Sequence, residues 1–214
     1  NIAAQLGPLL DRIVEDRPER TRAAVERAAV TYDLDAELPP FRPEQLDLRS
    51  RSGDDALSAL PDTLERITAE LVPTDPLWSE VVDLGRRFLA DTHRLRDDYA
   101  ALRQELGAET SQSAELFALA EQYSGLHAGA CLLHLVLRSA AALPEPFPDP
   151  ALVLLGLERL WRRQYPLDRR TGPTTIDRVI DLALGLHEQR RLFSHRRVVL
   201  GEASTPGDGR SDDR

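Results

Sequence analysis

The chain contains no methionine and no lysine, a single cysteine, and only 5% aromatic residues. Each shortage excludes something. Without methionine, Asn1 is not a translation start, so the chain reads as a piece of a larger polypeptide whose chemistry is expected upstream. Asn1-Ile2-Ala3-Ala4-Gln5-Leu6 opens directly into a helix-like pattern, with no signal peptide before it. Without lysine, neither a Schiff-base lysine nor a phosphate-loop lysine exists within the chain. The lone Cys131 excludes an internal disulfide and fits a reducing cytoplasm. Scarce aromatics leave the core to Leu, Val and Ala, which favours helices over strands.

What is present fits a globular protein of one or two domains: 214 residues, 42% of them hydrophobic and 29% charged. All 27 basic residues are arginine, a bias that with Ala, Leu, Asp and Pro points to GC-rich, actinobacterial coding. A net charge of -9 argues against non-specific nucleic-acid binding, which needs a basic surface. Arginines do gather late in the chain, at Arg159, Arg162, Arg163, Arg169 and Arg170 and again at Arg190, Arg191, Arg196 and Arg197. They leave an anion site or acidic partner open, although a solvated helix face is the plainer reading. His127, His134 and Arg138 interrupt the most apolar stretch, Leu126 to Leu143. A buried helix is therefore expected there, and no membrane span.

The pattern along the chain predicts an all-α, up-and-down bundle of about four long helices, preceded by an N-terminal helical arm over 1–33. In the arm, Ile13, Val14, Val25, Ala28 and Ala29 would face the core. A Pro-rich linker is expected over 34–60, carrying Pro39, Pro40 and Pro43. The bundle would occupy 61–200, beginning with a short helix from Pro61 to Leu71. Asp75 reads as a helix N-cap with Pro76 in the first position. Trp78, Val81, Gly85, Phe88, Thr92, Leu95, Tyr99, Leu102 and Leu106 then recur at three-four spacing. Ser111 to Leu143 repeats that spacing at Leu116, Leu119, Tyr123, Leu126, Ala130, Leu133, Leu137 and Ala140, and is apolar nearly all round. It should lie in the middle of the bundle, with Gly125 and Gly129 admitting a close neighbour. Helices from Ala151 to Tyr165 and from Pro173 to about Arg196 complete the four, the last with Ile176, Val179, Ala183 and Leu186 in register. The tail, 201–214, lacks large apolar side chains and reads as disordered.

His127, Cys131 and His134 form the sharpest constellation, because spacings of four and three place them on one helix face. Imidazole and thiolate bind zinc, and His93 or His187 from another helix would complete a fourth position. No second ligand motif accompanies them, and small polar residues are common where helices cross closely, so no metal site is assigned. Asp97, Asp98, Glu115 and Glu121 supply carboxylates without a cleft to tune them, and no catalytic residue is assigned either. Ser124 has the spacing to bond His127 but lacks a nucleophile elbow. Trp161 should pack inward, with Arg162 and Arg163 pointing to water. Gly7, Gly53, Gly107 and Gly172 stand alone, so no phosphate loop exists.

Three segments carry a family resemblance. They are Asn1-Ile2-Ala3-Ala4-Gln5-Leu6, the connector Tyr32-Asp33-Leu34-Asp35-Ala36-Glu37-Leu38-Pro39-Pro40-Phe41, and Tyr123-Ser124-Gly125-Leu126-His127-Ala128-Gly129-Ala130-Cys131. Together with the helix order, they resemble the C-terminal all-helical region of actinobacterial acyl-CoA dehydrogenase-like flavoproteins. The resemblance implies that the whole enzyme binds FAD and removes hydrogens from the α and β carbons of an acyl thioester, carried on coenzyme A or an acyl carrier protein. The family's catalytic carboxylate and most flavin contacts would precede Asn1, and no cofactor-binding residue can be placed on this sequence. The present segment would then support acyl binding, pack on the upstream flavin-binding region, or form a homo-oligomer interface. The alternative is a stand-alone helical interaction or ligand-binding domain, such as a regulator's effector domain.

Overall fold

The structure, a computed structural model, describes Leu6, Leu9 and residues 18–37, 40, 54–168 and 171–191. It is an all-α bundle. Among the described residues six helices follow in order: α1 (Pro18–Thr31), α2 (Asp55–Glu70), α3 (Trp78–Leu106), α4 (Ala114–Ser139), α5 (Pro150–Trp161) and α6 (Pro173–Glu188). A 3-10 turn, Gly107–Gln112, joins α3 to α4, and no strand occurs among the described residues. The expectations for Ile13, Val14, Pro39, Pro43, Arg169, Arg170, Arg196, Arg197 and the tail fall outside them.

Local chemistry sets the helix ends. Asp54, Ser113 and Asp149 sit in extended backbone, and their side-chain oxygens accept the N–H groups of Leu57 (3.0 Å), Leu116 (3.1 Å) and Ala151 (2.9 Å). Each thereby satisfies a donor that the first helical turn leaves free. Asp75 also accepts a backbone N–H, from Leu77 at 2.9 Å, but this closes a turn in front of α3, which starts only at Trp78. Gly107 ends α3 at φ 53°, a conformation that disfavours any side chain.

As expected, α4 is the central helix, touching α1, α2, α3 and α5. Its seam residues Leu126, Ala130 and Leu133 are buried against Trp78, Val81 and Phe88 of α3 and Leu57, Leu60, Leu64 and Ile67 of α2 in one continuous core, which also holds Leu6 and Leu9. Gly129 permits the closest crossing: a Cβ there would lie 2.3 Å from the Phe88 ring. Phe88 in turn packs on Trp161 of α5, ring centroids 5.6 Å apart.

Two expectations are corrected. The stretch 54–60, read as the end of a linker, is the cap and first turns of α2, and Leu57 and Leu60 are core residues. Pro61 is not a helix start but lies inside α2, with its ring exposed, so the missing N–H is tolerated on the outer face. The second correction concerns the fourth bundle member. That place belongs to α2, which packs on both α3 and α4, whereas α6 rests mainly on α5. In α6 only Thr175 and Leu186 are buried, and Ile176 and Ala183, expected inside, are exposed. Burial follows long-range contacts that a period cannot specify. Helix α6 is pinned by Arg178, which donates to Asp149 at 2.7 and 3.1 Å and to Asp75 at 2.7 Å.

Candidate functional site

A line of polar side chains crosses the place where the end of α1, the start of α2 and the middle of α4 meet. It begins at Asp54, whose side chain is 2% exposed. One carboxylate oxygen accepts the Leu57 N–H; the other accepts the Tyr123 hydroxyl at 2.5 Å and His127 Nδ1–H at 2.6 Å. The far nitrogen of that imidazole, Nε2, lies 3.4 Å from Cys131 Sγ, one helical turn on. The Tyr32 hydroxyl reaches the same sulfur at 3.0 Å. Carboxylate, imidazole and thiol thus stand in series, with a phenol at the end.

Each part is held by the fold. Asp54 is fixed as the cap of α2. His127 and Cys131 are four apart on α4, so helix geometry sets their contact, and the Tyr123 ring stacks on His127 at 5.9 Å. Tyr32 is placed by the chain leaving α1: Ser139 Oγ donates to the Tyr32 carbonyl at 2.7 Å and accepts the Leu34 N–H at 2.8 Å. Arg27 grips Asp55 through two 2.6 Å bonds, holding α1 to the start of α2.

The electrostatics follow. Burial alone would raise the Asp54 pKa, but the bonds and charge of His127, the Tyr123 hydroxyl and the Leu57 N–H outweigh it and hold the carboxyl below its ordinary value. The hydrogen bond to Asp54, then that to the Cys131 sulfur, raise His127 to about 10 against the opposing effect of burial. Burial first, and then the neighbouring sulfur, push the Tyr32 phenol well above its usual range, so it stays a protonated donor. Tyr123 is likewise pushed up, by burial and by Asp54.

His134, the third member of the sequence trio, takes another role. It is buried, its Nε2–H donates to the Ala56 carbonyl at 2.8 Å, and its Nδ1 accepts from Thr63 Oγ1 at 2.8 Å. Burial lowers its pKa, which suits this neutral tautomer. Tyr32 stacks on it, ring centroids 5.0 Å apart. Among the described residues no group of His, Cys, Asp and Glu converges as a metal site, and His93 and His187 are exposed on α3 and α6. Ser124 bonds the Ala120 carbonyl of its own helix, not His127. Asp97, Asp98, Glu115 and Glu121 are exposed; Trp161 is buried, with its Nε1–H on Asp168. A helix start placed at Pro61 leaves Asp54 outside the element that it caps. The signal existed: the pair Asp54-Asp55 just before the apolar series Ala56, Leu57, Leu60, Leu64 and Ile67.

A second feature lies on the opposite side of α4. Helices α4, α5 and α6 enclose an open groove of ≈ 690 Å³, lined by Leu132, Phe147, Leu152, Leu155 and Val179 among others. Among the described residues Arg159 is the one charged residue in its wall. The volume and apolar lining are those of small-molecule sites. Beside it, Ile176, Ile180 and Leu184 form an outward stripe on α6, 45%, 50% and 54% exposed. Among the described residues no helix is long and apolar enough to cross a membrane. No protein family, curated protein or solved structure matches the chain.

Proposed function

We propose that this chain is the helical part of an acyl-CoA or acyl-carrier-protein dehydrogenase-like flavoenzyme, in which it supports acyl binding and packs on the flavin-binding region. The observation that carries the reading is the groove between α4, α5 and α6. Its apolar walls suit an acyl chain, and Arg159 suits the phosphate of the carrier, which guanidinium groups bind in bidentate fashion. The outward stripe Ile176, Ile180 and Leu184 would face the flavin-binding region.

The described residues do not themselves fit FAD. A dinucleotide needs several donors for its pyrophosphate and ring edges, and the groove offers one cation among apolar side chains. The flavin would therefore be held upstream of Asn1, in a cytoplasmic enzyme, and no step of its chemistry is assigned to these residues.

The test is to purify the protein encoded by the complete gene. A yellow protein that releases FAD on denaturation and oxidises an acyl thioester is the expected result. A colourless protein without flavin overturns the reading. If the chain then still binds a fluorescent fatty-acyl probe in the groove, the same apolar walls favour the second reading, a stand-alone ligand-binding helical domain.

A further inference from the structure

We propose that Cys131 is a nucleophilic thiol that takes acyl groups from acyl thioesters, with His127 moving the proton and Asp54 positioning the imidazole. The proposal does not rest on the flavin reading, and its site lies across α4 from the groove.

Three observations carry it. First, the order is the one that activates a thiol: nucleophile, base within reach of it, and a third group fixing the base. Because Asp54 accepts Nδ1–H, it is Nε2 that is presented to the sulfur. Second, the line opens beyond its buried end. Asp54 is sealed at 2% exposure, while His127 is 42% exposed and Cys131 half-buried, so imidazole and sulfur both lie nearer the surface than the carboxylate. A network that served only to cap α2 would be complete at Leu57, Tyr123 and His127. Third, the Tyr32 hydroxyl stands 3.0 Å from the sulfur, where it is the donor nearest to a carbonyl oxygen on a carbon bonded to Sγ.

The substrate class follows from what the site lacks. The N–H groups around Cys131 are spent within α4, so a single hydroxyl is available to stabilise an oxyanion. That is little for an amide and more adequate for a thioester, whose leaving group is itself a thiolate. The step balances without a further reactant. With the proton of the pair already on His127 Nε2, the Cys131 sulfur bonds to the thioester carbonyl carbon. The bond from that carbon to the carrier sulfur breaks, and His127 returns the proton to the departing sulfur. The products are an S-acylated Cys131 and a free carrier thiol.

The test is incubation of the chain with S-octanoyl-N-acetylcysteamine, followed by intact-mass and peptide mass spectrometry. The expected result is one octanoyl group on Cys131, removed by hydroxylamine. His127→Gln should slow acylation by about a hundredfold or more. Asp54→Asn keeps a side-chain cap for α2, so the fold should hold, as circular dichroism will report. It should still cut the rate at saturating thioester by about tenfold, with half-saturation unmoved, a split that a merely structural role would not produce. Absence of an adduct on the wild-type chain overturns the proposal whatever the variants do. So does acylation that a folded Asp54→Asn variant carries out at the wild-type rate.

Discussion

Gly129 shows how much of the packing rests on one missing methyl group. A Cβ at this position would fall 2.3 and 2.6 Å from two atoms of the Phe88 ring, which is buried and backed by Trp161. A ring held on its far side cannot retreat, so Gly129→Ala overpacks the crossing of α3 and α4, at a cost of about 1–3 kcal/mol. The helix-propensity gain of alanine, about 1 kcal/mol, only partly offsets this. Gly185 on α6 is the control, because nothing lies within 4 Å of its would-be Cβ. Urea denaturation should show Gly129→Ala less stable than the parent, by up to about 2 kcal/mol, and Gly185→Ala equal or more stable. A Gly129→Ala protein at least as stable as the parent would contradict the packing. The role of Gly129 was visible in sequence as a small residue on an apolar helix. So was the shared face of His127 and Cys131. Their partner Asp54 was not, because it stands 73 positions from His127 and only the fold unites them.

Among the elements, α6 is the one held by polar rather than apolar contacts. It buries little beyond Thr175 and Leu186, and Arg178 fastens it to Asp149, the cap of α5, and to Asp75, ahead of α3. The Arg178 side chain is 39% exposed, so water screens these pairs and together they hold α6 by about 1 kcal/mol. Arg178→Ala should therefore speed amide exchange in α6 about fivefold, with α3 and α4 unchanged. Hydrogen-exchange mass spectrometry checks this, and unaltered exchange in α6 would refute it. Helices α3, α4 and α5 were legible because their three-four seams are long and end at strong caps or breakers. Helix α2 was only half legible: its apolar series was there, but Pro61 in its interior imitated a start. In α6 the period is legible as helical, while the face that packs is not. With apolar residues on both sides, a sequence period cannot say which one meets α5.

For the whole molecule, the helical class was legible from scarce aromatics and abundant Leu and Ala, but bundle membership was not, since it depends on contacts between distant segments. Those contacts bring Asp54, His127 and Tyr32 together from three parts of the chain, and global stability should respond to their protonation. His127 rises from an ordinary 6.5 to about 10 in the fold. Its contribution is therefore fully present below about pH 6.5, declines above it, and is gone once pH passes about 10. Asp54 lies below its ordinary 3.8, so its contribution is present above that value and lost as pH falls through the lowered folded value. His134 acts in the opposite sense to His127. Its folded pKa is depressed, so it stabilises above 6.5 and that support is lost as pH falls through the lowered folded value. The melting temperature of the wild type alone mixes these effects, and comparison with His127→Gln separates them. The gap between the two proteins should be widest from about pH 4 to 6.5 and narrow steadily towards pH 10. Tyr32 and Tyr123, both pushed up, keep their protons in the folded state across that range; the slope they add as the unfolded phenols titrate near pH 10 is shared by both proteins and drops out of the gap. Scanning calorimetry of the pair across the range measures the gap. A gap that is constant, or that widens as pH rises, would mean that His127 is not held protonated by Asp54.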